Sequence, residues 1–280
     1  MIGSEQFLQE IAAAPDDDAP RLVFADWLEE RGDPRGEFIR IQCELARFDG
    51  SQFGGLLEPD RDLVVREADL LRDNEARWLG PLSEFCQRCT FRRGFVEYVE
   101  ISATNFVEHC ERLFAEHPIR SASFRVVSGD LSRLASCPHL ARLSGISIGS
   151  HWIDYADLES LLASPHFPRL TKLVMLGCDL DDAAARLIAT SSGLDRLEVL
   201  DLSHNAVRND GVSAIASSPY LAGLKALLLN TNTIRLLGAR SLAQSPYLQQ
   251  LRYVDLRNNP IPQRGIDEVR DRFGRSACDM

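Results

Sequence analysis

The sequence has few of the features that mark membrane or secreted proteins. No run of 18 apolar residues occurs in its 280 residues, so we expect no membrane-spanning helix. Residues 1–5 (MIGSE) lack the basic and apolar regions of a secretory signal. The seven cysteines are odd in number and form no dense framework, which favours reduced thiols. These absences predict a cytoplasmic protein.

Lysine is almost missing, since only Lys172 and Lys225 occur and arginine supplies the other cations. Arginine suits protein contacts better than lysine, although a GC-rich genome would give the same bias. Residues 1–75 carry 19 acidic and 8 basic side chains, whereas the remainder carries 22 and 23. An acidic front half argues against nucleic acid as the main partner.

The motifs of common enzyme sites are also missing. The six histidines form no HExxH pair, no serine lies in a GxSxG elbow, and no glycine-rich loop could cradle a phosphate. We interpret His204 as a surface contact rather than a catalytic base. The sequence therefore predicts a protein that is not an enzyme, with no catalytic residue and no cofactor.

The second half of the chain repeats with a period of 27 residues. Five columns recur in register: Leu143, Leu170, Leu197, Leu224 and Leu251; Ile146, Leu173, Leu200, Leu227 and Val254; Ile148, Met175, Leu202, Leu229 and Leu256; His151, Cys178, Asn205, Asn232 and Asn259; and Ile153, Leu180, Val207, Ile234 and Ile261. Apolar residues two apart lie on one face of a short strand. The asparagine column suits a sharp turn, and the helical spacing that follows predicts a helix. Because one such unit cannot bury its apolar face alone, the copies must stack.

The pattern Leu197-x-x-Leu200-x-Leu202-x-x-Asn205, followed by a helix, resembles leucine-rich-repeat proteins of the ribonuclease-inhibitor-like class. The resemblance implies an α/β solenoid with parallel strands on a concave face and helices on a convex face. We assign residues 143–280 to this solenoid and residues 83–142 to atypical capping repeats. Gly211 and Gly238 recur with the period, and we interpret them as helix-start geometry.

Residues 1–82 are predicted to form a small all-helical region. Helices are expected at residues 5–14, 20–31, 37–48 and 62–79, with a glycine-rich break at residues 50–55. Asp16, Asp17 and Asp18 are interpreted as a solvated helix start rather than as a cation site with Asp26. The run PDDDAPRLVFADWLEERGDPRGEFIR, residues 15–40, resembles the bacterial repeat-companion domain. That resemblance implies helices in front of repeats and adds no catalytic residues.

Cys86 and Cys89 have the spacing of a zinc knuckle, with His109, Cys110 and His117 downstream. A zinc site usually needs a second well-spaced pair of ligands, and the sequence contains none. Ordinary thiols are therefore favoured and no metal is expected. A zinc-containing module at this pair is kept as the weakest functional alternative.

The outward positions of the predicted strands form the candidate partner-binding surface. They are Lys172, Val174, Leu176, Val199, Asp201, Leu228, Asn230, Tyr253, Asp255 and Arg257. An apolar centre with a polar rim is typical of binding surfaces. We expect a monomeric, non-catalytic scaffold that binds a protein on this face. The alternatives are a segment that covers the face, or a regulator of an enzyme such as a GTPase that presents Arg257 or Arg235.

Overall fold

The computed structural model describes residues 4–47, 60–126, 129–149 and 152–280. Two compact units divide the chain, one within Met1–Glu100 and His109–Arg120, the other within Ile101–Glu108 and Ser121–Met280. The glycine-rich break predicted at residues 50–55, residue 48 of the third predicted helix, and His151 of the asparagine column lie outside the described residues.

The first unit consists of helices followed by a hairpin. The helices are α1 (Ser4–Ala13), α2 (Ala19–Glu29), α3 (Arg35–Leu45), α4 (Arg61–Leu79) and the short α5 (Leu82–Phe85). Two strands follow, β1 (Cys86–Arg92) and β2 (Phe95–Ser102). The expectation of an N-terminal helical region is confirmed. Its core contains Phe7, Ile11, Phe24, Ile39 and Phe95.

The turn of this hairpin is tied to α3. Arg93 and Gly94 both have positive φ, +51° and +86°, as a two-residue hairpin turn requires. A Cβ atom on Gly94 would lie 2.1 Å from Ile39 Cγ1, so only glycine fits. The Gly94 amide donates to Gln42 Oε1 over 2.7 Å, and Arg35 Nε donates to the Gly94 carbonyl over 3.4 Å. The motif residues of α3 therefore hold the hairpin.

A buried ion pair also joins the helices of the first unit to its strands. Arg21 is fully buried, and its Nη2 lies 2.5 Å from Glu97 Oε1. Burial lowers the pKa of Arg21 and raises the pKa of Glu97, so desolvation of each charge outweighs its attraction to the other. The Arg21 and Arg35 guanidinium groups both lie near the Phe95 ring, at 5.6 and 4.8 Å from its centroid.

The aspartates before α2 have separate roles. Asp16 pairs with Arg120 at 2.6 Å, Asp18 pairs with Arg93 at 3.3 Å, and Asp17 accepts the Ala19 amide. Asp18 occupies the N-cap position of α2 but accepts no capping hydrogen bond there from a described residue. Side-chain ion pairs therefore account for two of the three carboxylates.

The second unit alternates strands and helices. After α6 (Ala103–Leu113), which ends in the first unit, the elements are β3 (Ser121–Arg125), α7 (Asp130–Ala135), β4 (Gly145–Gly149), α8 (Tyr155–Leu162), β5 (Lys172–Leu176), α9 (Asp182–Thr190), β6 (Val199–Asp201), α10 (Asn209–Ala216), β7 (Ala226–Leu228), α11 (Leu236–Ala243), β8 (Tyr253–Asp255), α12 (Gln263–Phe273) and β9 (Cys278–Asp279). Short 3-10 turns, such as Pro219–Leu221, follow several helices.

Strands β3 to β9 form a parallel sheet in chain order. From β4 to β8 each residue pairs with the residue 27 positions later, for example Lys172 with Val199. The first and last pairings of this unit, Ser121 with Gly145 and Val254 with Cys278, are 24 apart. The predicted inward leucine, isoleucine and valine columns of the strands are buried. The predicted α/β solenoid is confirmed.

The asparagine column links each turn to the preceding repeat. Asn232 Nδ2 donates to the Leu202 and Leu229 carbonyls over 2.9 and 3.0 Å, and its Oδ1 accepts the Val207 amide over 3.0 Å. Asn205 and Asn259 make the equivalent bonds. Each asparagine thus satisfies backbone groups of two repeats at once.

A serine column does the same at the other end of the helices. Four serines each donate a hydroxyl hydrogen to a carbonyl at the end of the helix of the preceding repeat. They are Ser164, Ser191, Ser218 and Ser245, and the carbonyls are those of Ala135, Leu162, Ala189 and Ala216 respectively. Three of them are buried: Ser164, Ser218 and Ser245. The orphan carbonyls at helix ends are therefore satisfied by the following repeat.

The glycine column marks the close approach of neighbouring helices. Gly211 and Gly238 lie in the first turns of α10 and α11, as predicted, but neither has a positive φ. A Cβ atom on Gly211 would lie 2.7 Å from Asp182 Oδ1 of α9, and one on Gly238 would lie 3.0 Å from Asn209 Oδ1 of α10 and 2.8 Å from Ile234 Cγ2 of its own repeat. Space, rather than backbone freedom, selects glycine at these positions.

We predict that Asn232→Ala lowers the free energy of unfolding by roughly 2–5 kcal/mol, because three buried backbone groups lose their partner. Asn232→Asp should be similarly harmful, since a carboxylate would face two carbonyl oxygens. Urea unfolding followed by circular dichroism measures both. Ser241→Ala, which removes one exposed bond on α11, is the control and should change stability by less than about 0.5 kcal/mol. Equal effects of Asn232→Ala and the control would contradict this role.

Gly238→Ala should lower the free energy of unfolding by about 1–3 kcal/mol, because the added methyl group overpacks the contact between α10 and α11. Gly193→Ala is the matched control, since a Cβ atom there meets nothing closer than 3.7 Å. The same unfolding assay compares the two variants. A neutral Gly238→Ala would show that the helices separate without cost.

Candidate functional site

The outward face of strands β5 to β8 carries the predicted binding residues, and they differ in exposure. Lys172, Leu176 and Arg257 are exposed. Val174, Val199, Asp201, Leu228, Asn230 and Tyr253 are partly exposed. Sheet pairing aligns Val174 with Asp201 and Asp201 with Leu228. The structure therefore brings the apolar side chains of Val174 and Leu228 to either side of Asp201 on adjacent strands.

Asp255 differs from the exposed rim residue that the pattern suggested, because it is only 1% exposed. Its carboxylate accepts from Arg257 Nε over 3.0 Å, from Arg257 Nη2 over 2.6 Å and from the Arg257 amide over 3.1 Å. This contact raises the pKa of Arg257. Asp255 thus fixes Arg257, whose guanidinium is the part that a partner could reach.

Tyr253 extends this cluster to the last strand. Its hydroxyl donates to Asp279 Oδ2 over 2.7 Å, and burial together with this bond raises the pKa of Tyr253 to about 12. Arg257 Nη2 lies 3.9 Å from the same carboxylate. Tyr253, Arg257 and Asp279 therefore form one polar cluster beside the apolar centre, and Asp279 is a member that the repeat pattern did not identify.

The turns after the strands are held in the left-handed region. Gly177, His204, Thr231 and Asn258 occupy one column with φ between +55° and +64°. His204 is an exposed residue of these turns, in keeping with its interpretation as a surface position. Ser203, next to it, is buried and donates to Asn230 Oδ1. Asn230 is therefore partly engaged within the protein.

The connection between β4 and α8 contains exposed aromatic residues that the repeat pattern did not identify. Trp152 is 68% exposed and Tyr155 is 44% exposed, both between the end of β4 and the first turn of α8. They lie outside the repeated columns, so periodicity gave no signal for them. Exposed aromatic side chains are frequent at binding surfaces.

The candidate zinc ligands lie in the first unit. Cys86 and Cys89 are half-buried on β1 and hydrogen-bond each other, which raises the pKa of Cys86. His109 stacks on Phe85 with ring centroids 4.8 Å apart. In the described parts of the chain, no group of three or more histidine, cysteine, aspartate and glutamate side chains is arranged to hold a metal.

His117, the last of those candidates, is 4% exposed, and its Nδ1 accepts the Val96 amide over 3.2 Å. Burial, reinforced by the positive charge of Arg35, lowers the pKa of His117 to about 3. The folded protein therefore keeps this imidazole neutral, as an acceptor within the core.

A family model described as Leucine Rich repeat matches residues 197–216, which span β6, the asparagine turn and all of α10. The match covers one repeat, and the sheet register extends the same unit to its neighbours. The second unit is thus a leucine-rich-repeat solenoid. None of the described helices is long and apolar enough to cross a membrane.

Solved structures similar to the chain include an internalin from Listeria monocytogenes, at 19% identity and a TM-score of 0.40, over 58% of this chain and 48% of that one. A protein from Bacteroides fragilis is 14% identical with a TM-score of 0.42, over 66% and 67%. A receptor-kinase leucine-rich-repeat ectodomain from Arabidopsis thaliana is 16% identical with a TM-score of 0.29, over 48% and 64%. The chain spans about half of the internalin. No curated protein matches the sequence.

We predict that the protein loses stability as the pH falls below about 6.5, because the unfolded chain then binds a proton at His117 that the folded chain excludes. Because folding lowers the pKa of His117, its contribution to stability is full above the pKa of the unfolded chain. That contribution is lost as the pH falls toward the pKa of the folded chain. The loss from this group should be roughly 2 kcal/mol by about pH 5. Urea unfolding above pH 6.5 and at about pH 5 measures this loss of stability. His117→Gln should remove this part of the pH dependence of the free energy of unfolding. An unchanged pH dependence in the variant would refute the assignment.

Proposed function

We propose that the protein is a non-catalytic scaffold that binds a protein partner on the outward face of β5 to β8. The observation that carries the proposal is a patch of partly exposed apolar side chains, Val174, Val199 and Leu228, on a rigid parallel sheet. Side chains fixed by strand pairing lose little freedom on binding, which favours affinity. Lys172, Tyr253 and Arg257 supply a polar rim, and Asp201 lies between Val174 and Leu228.

The neighbouring charges favour specific recognition on this face. Asp255 holds Arg257 in one orientation, and Asp201 accepts the amide of Ser203. A preorganised arginine forms hydrogen bonds to a partner at smaller entropic cost than a mobile one. The face therefore combines an apolar anchor with oriented polar groups.

The finer assignments are also proposals. We assign the repeats to the ribonuclease-inhibitor-like class because a full helix follows each strand from β4 to β8. We assign residues 4–48 to the repeat-companion domain because of the motif at residues 15–40. We keep the division into residues 1–82, 83–142 and 143–280. A cytoplasmic monomer with a protein partner, and no nucleic-acid or membrane partner, completes the proposal.

The scaffold proposal predicts that Val199→Glu, Leu228→Glu and Tyr253→Glu together abolish partner capture, since two charges would enter the apolar patch and a third would enter its polar rim. Affinity purification of the full chain from its native host, with mass spectrometry, identifies the partners to be compared. Leu237→Glu is the matched control, because Leu237 is 62% exposed on α11, away from the strands. Unchanged partners in the triple variant would exclude this face.

A further inference from the structure

The edge of the solenoid beside β4 and β5 carries an unusual concentration of exposed apolar surface. Trp152 is the most exposed of the large apolar side chains in the described residues, at 68%. Tyr155 is 44% exposed, and Leu176, at the end of β5, is 41% exposed. Exposed aromatic and aliphatic groups that cluster mark interaction sites more often than single ones do.

The sheet register places the backbone positions of these residues at one edge of the sheet. Gly149 at the end of β4 pairs with Leu176 at the end of β5. Trp152 lies three residues after Gly149, and Asp179 lies three residues after Leu176, so the two are equivalent positions of adjacent repeats. The Tyr155 hydroxyl donates to Asp181, which fixes α8 beside the turn before α9. Trp152, Tyr155 and Leu176 therefore share this edge with Asp179 and Asp181.

The charge of the edge is negative. Asp179 and Asp181 are exposed, and Asp154 is partly exposed. Asp154 and Asp181 accept backbone amides at the starts of α8 and α9. The hydrogen bond from Tyr155 lowers the pKa of Asp181, so its carboxylate is ionised at neutral pH. None of the three forms an ion pair with a side chain in the described ranges.

We propose that Trp152, Tyr155, Leu176, Asp179 and Asp181 form an edge patch that binds a basic segment of the protein partner. The inference rests on the proposed function, because the patch adjoins the outward strand face through Leu176. Lysine or arginine side chains of the partner pair with Asp179 and Asp181 and lie against Trp152, whose ring face attracts cations. Apolar partner residues contact Leu176. An acidic segment would meet unpaired carboxylates and is disfavoured.

The test uses the full-length protein and a displayed library of random dodecapeptides. Selection should enrich peptides that carry lysine or arginine beside aromatic or aliphatic residues. Binding of the enriched peptides is then measured by fluorescence anisotropy at low and physiological salt. Trp152→Ala should weaken binding ~10-fold or more. Asp179→Asn, a change that tolerates the left-handed backbone there (φ +57°), should weaken it several-fold and reduce its salt dependence.

Matched controls lie away from the patch. Leu237→Ala removes an exposed apolar side chain on α11, and Asp267→Asn removes a carboxylate on α12 that accepts from Gln263. Both should bind the peptides as the wild type does. Enrichment of acidic or uncharged peptides, an absence of enriched peptides, or wild-type binding by Trp152→Ala and Asp179→Asn overturns the edge patch.

Leu228→Glu separates this inference from the proposed function. If Leu228→Glu abolishes peptide binding while Trp152→Ala and Asp179→Asn leave it intact, the strand face stands and the edge patch fails. If the edge variants lose binding while Leu228→Glu retains it, the edge patch stands and the peptides do not extend onto the strand face, whose own test is the capture of native partners. Loss in all three variants supports one continuous surface.

Discussion

The side-chain amide of the asparagine column is the constraint on which the solenoid depends. A tight turn after each short strand exposes backbone amides and carbonyls that have no partner within their own repeat. Asn205, Asn232 and Asn259 bond those groups in two successive repeats. The backbone groups of each turn are therefore satisfied only when the next repeat is stacked on it. A single repeat could not hold its own conformation.

The asparagine and serine columns leave the apolar outward positions of the strands without a role in satisfying the backbone. Inward side chains fill the core, and the asparagine and serine columns satisfy the backbone at the two ends of each unit. Outward positions such as Val174, Val199 and Leu228 are only partly buried. Apolar residues there add little to the stability of the fold, which is the basis on which we propose a binding role for them.

Periodicity predicted the inward columns, the strand and helix order and the asparagine turns, because each depends on contacts repeated every 27 residues. It could not predict contacts that occur once. The Arg21–Glu97 pair joins residues 76 positions apart, and the burial of Asp255 follows from Arg257 folding back over it. The residue type at position 152 is not repeated, since Asp179 stands at the equivalent position of the next repeat. The role of Gly211 could not be predicted from the repeat either, because the short distance between neighbouring helices, rather than the backbone conformation, requires glycine there.

Helix capping explains why the edge patch is confined to one part of the solenoid. Asp154 and Asp181 cap their own helices, α8 and α9. In the next two repeats the corresponding residues are Arg208 and Arg235, whose amides bond instead to Asp182 and Asn209 of the preceding repeat. A cap supplied by the neighbour removes the need for a carboxylate at that position. The edge therefore changes from acidic to basic along the solenoid, and a basic segment bound beside Trp152 has a defined boundary at α10.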